Sequence, residues 1–209
     1  MFNDENFVTV SGVILSRKIS GENNLSVTLF LKKFGLVKVS ARKSSGDSEP
    51  FIWGNFYLQK KHKGLGYSIK EVEVFDDMFD LRKGREKILT ALNWFNLLKK
   101  YLIPEQPDDD LLSNLYWNMK LLTESNIPVE ASDWRFKWHW LKLWGLAPDL
   151  VKYHVAMKFN DDEIFLLAHL DIFDTKGVIN LFSNPLNKHI RENIFKIASK
   201  LTLKFLDEK

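Results

Sequence analysis

Apolar and polar residues alternate through the first 80 positions of the chain. Val8, Val10 and Gly12 are interleaved with Thr9 and Ser11, and Leu25, Val27, Leu29 and Leu31 with Ser26 and Thr28, the period-two signature of strands with one buried face. Gly21-Glu-Asn-Asn24, between the two runs, is dense in turn formers. A third strand is predicted over about Leu36 to Ala41. Two more are predicted around Phe51 to Gln59 and Tyr67 to Phe75, joined by the basic, glycine-bearing tip Lys60-Lys-His-Lys-Gly-Leu-Gly66. Five short strands in about 75 residues suit a small Greek-key barrel of the OB-fold type, and an SH3-like barrel has the same signature in sequence.

After Asp80 the period changes. Ile88, Leu92, Phe95, Leu98 and Leu102 recur at steps of four and three, a helical stripe that ends before Pro104. Asp108-Asp-Asp110 supplies cap and first-turn acids for a second helix carrying Leu111, Leu115, Met119 and Leu122. A third helix is expected to begin after Ser132, to place Trp134, Trp138, Leu141 and Trp144 on one packed face, and to stop at Gly145 with Pro148 just beyond. Trp140 falls off that face, which makes it the candidate for a partner-binding surface. From Tyr153 to Asn180 the signals are mixed, and Ile164 to Phe173 fits strand and helix equally. Asn184-Pro185 then reads as the start of a last amphipathic helix through Leu186, Ile190, Ile194, Ile197, Leu201 and Phe205. The predicted fold class is α+β and multidomain: an N-terminal small β-barrel at 1–80, then a mainly α-helical domain at 81–209 with room for a short β insert at about 153–180.

Composition narrows the functional classes. With 209 residues, 45% of them hydrophobic, the chain can bury a substantial core. No run approaches the roughly 18 apolar residues of a membrane span, and the first six residues lack the basic start and apolar run of a secretory signal. The expectation is a cytoplasmic protein without a membrane partner. The absence of cysteine removes disulfides, thiolate metal sites and cysteine nucleophiles.

Charge is concentrated rather than spread. Gly12 to Lys70 holds eleven Lys or Arg against three acids, Glu22, Asp47 and Glu49, a local excess of +8 in a chain of net charge +3. A basic β module is an electrostatic footprint for nucleic acid. The candidate DNA contacts are Arg17, Lys18, Lys32, Lys33, Lys38, Arg42, Lys43, Lys60, Lys61, Lys63 and Tyr67. Such cations bind phosphates mainly by counterion release, and Phe34, Trp53, Phe56, Tyr57 and Tyr67 lie among them as stacking faces or as core.

Catalytic constellations are missing. His62, His139, His154, His169 and His189 show no metal-ligand spacing. There is also no phosphate-cradling glycine loop, no nucleophile elbow and no H-E-x-x-H motif. Asn160-Asp-Asp-Glu163 and Asp171-Ile-Phe-Asp174 are better explained as turn and solvent-facing acids than as cation ligands. These features point to a non-enzymatic binder with no cofactor, no metal and no small-molecule substrate.

Several short segments carry a family resemblance. Gly12-Val-Ile-Leu-Ser-Arg-Lys18, Gly21-Glu, Leu25 to Phe30, and Phe34-Gly-Leu-Val-Lys-Val-Ser-Ala-Arg-Lys43 resemble the opening of RecO recombination mediators. Gly64-Leu-Gly66 before a Glu-Val strand and Gly145-Leu-Ala-Pro-Asp-Leu150 after the tryptophan-bearing helix are similar to later landmarks of that family. The resemblance implies an N-terminal OB-fold and a helical C-terminal domain. It also implies binding of single- and double-stranded DNA, annealing of complementary strands, and work with RecR-like and single-strand-binding proteins to load recombinase. By motif position it maps the family's basic face onto Arg17, Lys18, Lys38, Arg42 and Lys43. The chain departs from many members in lacking a four-cysteine zinc module after Leu150, and it is expected to be a short, cysteine-free member. Its Lys43 to Pro50 loop is also more acidic than the family's usual version. A protein-interaction scaffold and an OB-type RNA binder stand as alternatives on the residues alone.

Overall fold

A computed structural model describes residues 7–43, 48–61, 66–124 and 127–146. Five strands come first: β1 (Phe7–Ile19), β2 (Asn24–Leu31), β3 (Gly35–Arg42), β4 (Trp53–Lys60) and β5 (Tyr67–Asp76). A 3-10 turn at Phe79–Lys83 leads into α1 (Arg85–Tyr101), followed by α2 (Asp109–Thr123) and α3 (Val129–Leu143). The protein is therefore α+β, with the change of architecture where the hydrophobic period changes. Contacts divide the chain into two compact units, Met1–Leu112 and Ser113–Lys209. The expected β insert at about 153–180, the helix from Asn184, and most of the tip between β4 and β5 lie outside the described residues.

The five strands close on themselves in the order β1-β2-β3-β5-β4, with β4 bonded back to β1. All pairs are antiparallel except β3 with β5, which run parallel through Val39↔Tyr67 and Ser40↔Ser68. Closure falls to β1, which is long enough for two partners: Phe7 to Val13 pairs with β4, and Gly12 to Ile19 pairs with β2. At the changeover Gly12 faces Gly54. A Cβ on Gly12 would overlap the Phe30 carbonyl oxygen, and one on Gly54 would stand 2.6 Å from the carbonyl oxygen of Glu73. Backbones approach there too closely for any side chain. Just beyond, the register slips between Ile14 and Ser16, a bulge that leaves Ile14 and Leu15 both buried. Following the pairs from Lys18 through Ser26, Ser40, Ser68 and Gln59 returns to β1 at Phe7, eleven residues earlier. That stagger tilts the strands enough for so few of them to form a cylinder.

The alternating apolar residues fill the barrel. Ile14, Val27, Leu29, Leu31, Phe56 and Leu58 are fully buried in its core, with Val10, Val39 and Ala41 beside them. Complete burial of each large aliphatic or aromatic side chain contributes roughly 1.5–3 kcal/mol before entropy is counted. Val13, Leu15 and Phe30 point away from this core and are buried as well, which a strand with one solvated face does not predict. The reason is α1, which packs against β1 and brings the ring of Phe95 to 5.2 Å from that of Phe51. The chain after α1 is stitched to the start of β3. Leu36 bridges Pro104, the Glu105 amide donates to the Leu36 carbonyl at 3.0 Å, and Gly35, at φ +71°, lies so close to the Gln106 backbone that no Cβ fits.

The helix signals hold with two corrections. Asp108 caps α2 as expected, its Oδ1 accepting from the Leu111 amide at 3.0 Å. Helix α3, in contrast, starts at Val129 and not after Ser132. Pro128 precedes it with φ −59°, and its carbonyl accepts from the Ala131 amide at 3.1 Å, while Ser132 is buried one turn in. The second correction concerns Trp140, expected on a surface. It is buried, 5.7 Å from Phe136 and 5.2 Å from Trp144 by ring centroids, whereas Trp144, expected in the packed face, is 39% exposed. Trp134 and Trp138 stack at 5.6 Å on the same helix, which thus buries aromatics over most of its circumference. Its end follows the sequence: Gly145 at φ +67° turns the chain, with the Gly145 amide on Lys142 O and the Leu146 amide on Leu141 O.

The close approach at the β1 changeover yields a stability prediction. Gly12→Ala should lower unfolding stability by about 1–3 kcal/mol through overpacking, measured by urea denaturation as a lower midpoint with an unchanged slope.

Candidate nucleic-acid interface

The barrel exterior carries two faces of opposite chemistry. Beyond the β1 bulge, outward positions alternate with the core: Ser16 and Lys18 on β1, Ser26 and Thr28 on β2, and Lys38, Ser40 and Arg42 on β3. Register places them in rows, Ser16–Thr28–Lys38 and Lys18–Ser26–Ser40, with Asn24 opposite Arg42. Strands β2 and β3 contain no acid, nor does β1. On the other side, β5 turns Glu71 toward Tyr57 and Glu73 toward Asn55. Ser11 Oγ donates to Asn55 Oδ1 at 2.6 Å and Asn55 Nδ2 donates to Glu73 Oε2 at 2.9 Å, so this face is an acid-containing hydrogen-bonded surface. The basic surplus of the first third is thus polarised to β1–β2–β3.

The predicted contacts divide accordingly. Lys18, Lys38 and Arg42 share the cationic face, and Lys43 extends it at the β1–β2 turn, where its amide donates to Asn23 O at 3.0 Å. Lys60 is exposed at the end of β4 opposite Tyr67, with exposed Lys61 next to it. Arg17 is tied down, its Nη2 standing 2.5 Å from Glu49 Oε1. Lys32 and Lys33 sit at the far end of the β2–β3 hairpin, about 25 Å of strand from Arg42. There the Lys33 amide donates to Asp109 Oδ1 at 2.7 Å, bringing an acid beside that tip. The structure therefore does not gather these two lysines with the rest. Lys63 lies outside the described residues.

Most of the aromatic candidates belong to the fold. Trp53 and Phe56 are buried, and Phe34 and Tyr67 meet edge to face at 6.3 Å while packing against the barrel core. Tyr57 is exposed but stands on the acid-bearing side opposite Glu71. Apart from the half-buried edge of Tyr67, the cationic face among the described residues offers hydroxyls and cations rather than stacking planes.

Two groups of residues were missed in sequence. The hydroxyls Ser16, Ser26, Thr28 and Ser40 were legible only as the polar half of an alternation, and their role as spacers between cations needs the register. Lys99 was missed because it belongs to the helical stretch. It lies on α1 one turn after Phe95, and its only sequence signal is its place beside Leu98 in the apolar stripe. Burial holds the Lys99 ammonium below the usual lysine range, and the charge of Lys18 pushes it the same way. Among the described residues, no group of three or more His, Asp or Glu is placed to hold a metal ion, and no helix is long and apolar enough to cross a membrane.

No protein-family model matches the chain. Curated relatives do. The chain is 28% identical over 148 residues to DNA repair protein RecO of Bacillus subtilis, covering 66% of this chain and 56% of that protein. It is 31% identical over 98 residues to DNA repair protein RecO of an Exiguobacterium species, 44% of this chain and 39% of that one. With the RecO of Acetivibrio thermocellus it shares 19% identity over 127 residues, 58% and 50% of the two chains. The matched stretches span about half the length of these relatives or less. The similarity to the RecO family that the glycine and Ala-Arg-Lys landmarks suggest is thereby shown, at low identity.

The polarised barrel makes a direct prediction for polyanion binding. Lys18→Gln and Lys38→Gln should each elute from a heparin column at lower salt than the unmodified protein, and Glu73→Gln should not. Equal shifts for all three would mean that net charge, and not the β1–β2–β3 face, governs binding.

Proposed function

We propose that this RecO-like chain is a non-enzymatic DNA-binding protein of recombinational repair, whose barrel is an OB-fold that holds single- and double-stranded DNA. The observation that carries the reading is the acid-free β1–β2–β3 face, on which Lys18, Lys38, Arg42 and Lys43 are interleaved with hydroxyls. The closed strand order with one parallel β3–β5 pair supports the OB assignment. Lysine and arginine neutralise phosphates, and serine and threonine hydroxyls donate to phosphate oxygens, so the face grips backbone and not base.

Annealing follows from the same chemistry. A strand held by its phosphates, without aromatic planes inserted between its bases, keeps its base edges free to pair. Neutralised phosphates also lower the repulsion that keeps two complementary strands apart. Lys60 and Lys61 continue the track at the end of β4, and Arg17, Lys32 and Lys33 contribute from its margins. The helical part is the proposed seat of protein partners, RecR-like and single-strand-binding proteins, through which recombinase loading proceeds.

Single-stranded oligonucleotide binding should weaken steeply between 50 and 200 mM salt. Because each phosphate contact on a single strand adds about 0.7 to the logarithmic salt slope, reversing Arg42, Lys43 and Lys60 together should flatten it by about 2. Annealing of complementary strands should fall in parallel. Binding that is absent or indifferent to salt overturns the proposal, and tighter binding to RNA than to DNA of the same sequence replaces it with an RNA-binding function.

A further inference from the structure

The cationic face does not stop at the edge of the sheet. Helix α1 packs against β1, and its Phe95 reaches Phe51. Lys99 lies one helical turn beyond Phe95 on the same side and is partly buried. On β1, the outward positions Val13 and Leu15 are covered, Ser16 is half-covered, and Lys18 is the first fully exposed outward residue. Lys18 and Lys99 therefore meet where the helix leaves the strand. Neither has an acidic partner among the described residues. Two ammonium groups brought together without a counter-charge repel each other, and the depressed affinity of Lys99 for its proton reflects that neighbour as well as burial. An anion between them would remove the repulsion and recover two charge-assisted hydrogen bonds.

We propose that Lys18 and Lys99 form a two-lysine notch at the junction of β1 and α1 that takes one backbone phosphate of bound DNA. The inference rests on the reading of the barrel as a DNA-holding face, and it carries the DNA track off the sheet and onto the helix. It also gives the pair a cost in the free protein that DNA relieves. Lys100 is the natural comparison: it neighbours Lys99 at the same helix end, serves the helix dipole equally, and rests over the Tyr101 ring at 4.8 Å.

The test uses the full chain and a single-stranded oligonucleotide, comparing K99Q, K18Q, K100Q and the K18Q/K99Q double variant at two salt concentrations, with thermal unfolding of each. K99Q and K18Q should each weaken binding by about fivefold and flatten the salt slope by about 0.7. The double variant should lose less than the product of the single losses, because both lysines serve one phosphate. K100Q should stay within about twofold of the unmodified protein. Without DNA, K99Q should melt at a higher temperature than the unmodified protein, since a repulsion is gone. Steep, salt-dependent binding by the unmodified protein with equal effects of K99Q and K100Q overturns the notch and leaves the DNA-binding reading standing. A lower melting temperature for K99Q, the sign of a charge that only serves the helix end, overturns it too. Absence of binding by the unmodified protein overturns both.

Discussion

Everything in the described barrel depends on one strand pairing with two partners. A sheet of five strands has two raw edges, and β1 removes both by bonding β4 through its first half and β2 through its second. The bend this demands is sharp enough that two backbones meet across Gly12 and Gly54 with no room for side chains, and a bulge one turn later absorbs the remaining twist. An alanine at Gly12 costs little locally in an ordinary strand. Here it pushes on the carbonyl of Phe30, a residue whose ring is itself fully buried on the outer side.

Closure also decides what the exterior looks like. Because β1 splits its pairing, its first half joins β4 and β5 and its second half joins β2 and β3, so one strand contributes to two outer faces. The second half carries Lys18 into an acid-free sheet with Lys38 and Arg42, and the first half carries Ser11 into a network that ends on Glu73. The charge surplus of the early sequence is sorted by topology into a cationic side and an acid-bearing one. A polyanion that meets the barrel therefore meets it from one direction, and α1, packed beside that direction, supplies a cation of its own.

Much of this was legible in the chain. Strict alternation from Leu25 to Leu31 named both the strand and its buried face, and the barrel core consists of the apolar members of such runs. Asp108 and Gly145 announced the start of α2 and the end of α3 because capping chemistry is local: a carboxylate oxygen reaches an amide three residues on, and only glycine turns left at no steric cost. Helix α3 was harder. Trp140 and Trp144 exchange the roles that a single-stripe reading assigns them, since a helix with aromatics on several sides has no unique apolar face until its neighbours choose one. Arg17 shows the same limit among the charges. Nothing in its local sequence reveals that Glu49, on the far side of a long loop, neutralises it.

By itself the sequence determined the element types, the residues that fill the barrel, the concentration of positive charge in the first third, and the similarity to RecO proteins, because period, capping and composition are properties of short stretches. Only the tertiary structure decided which cations share a face. It parted Lys32 and Lys33 from Arg42 by the length of a hairpin, set Glu71 and Glu73 on the opposite side, and brought Lys99 from a distant helix to Lys18. The physical reason is that charges act through space while sequence records order along a chain, and strand register and helix docking convert one into the other.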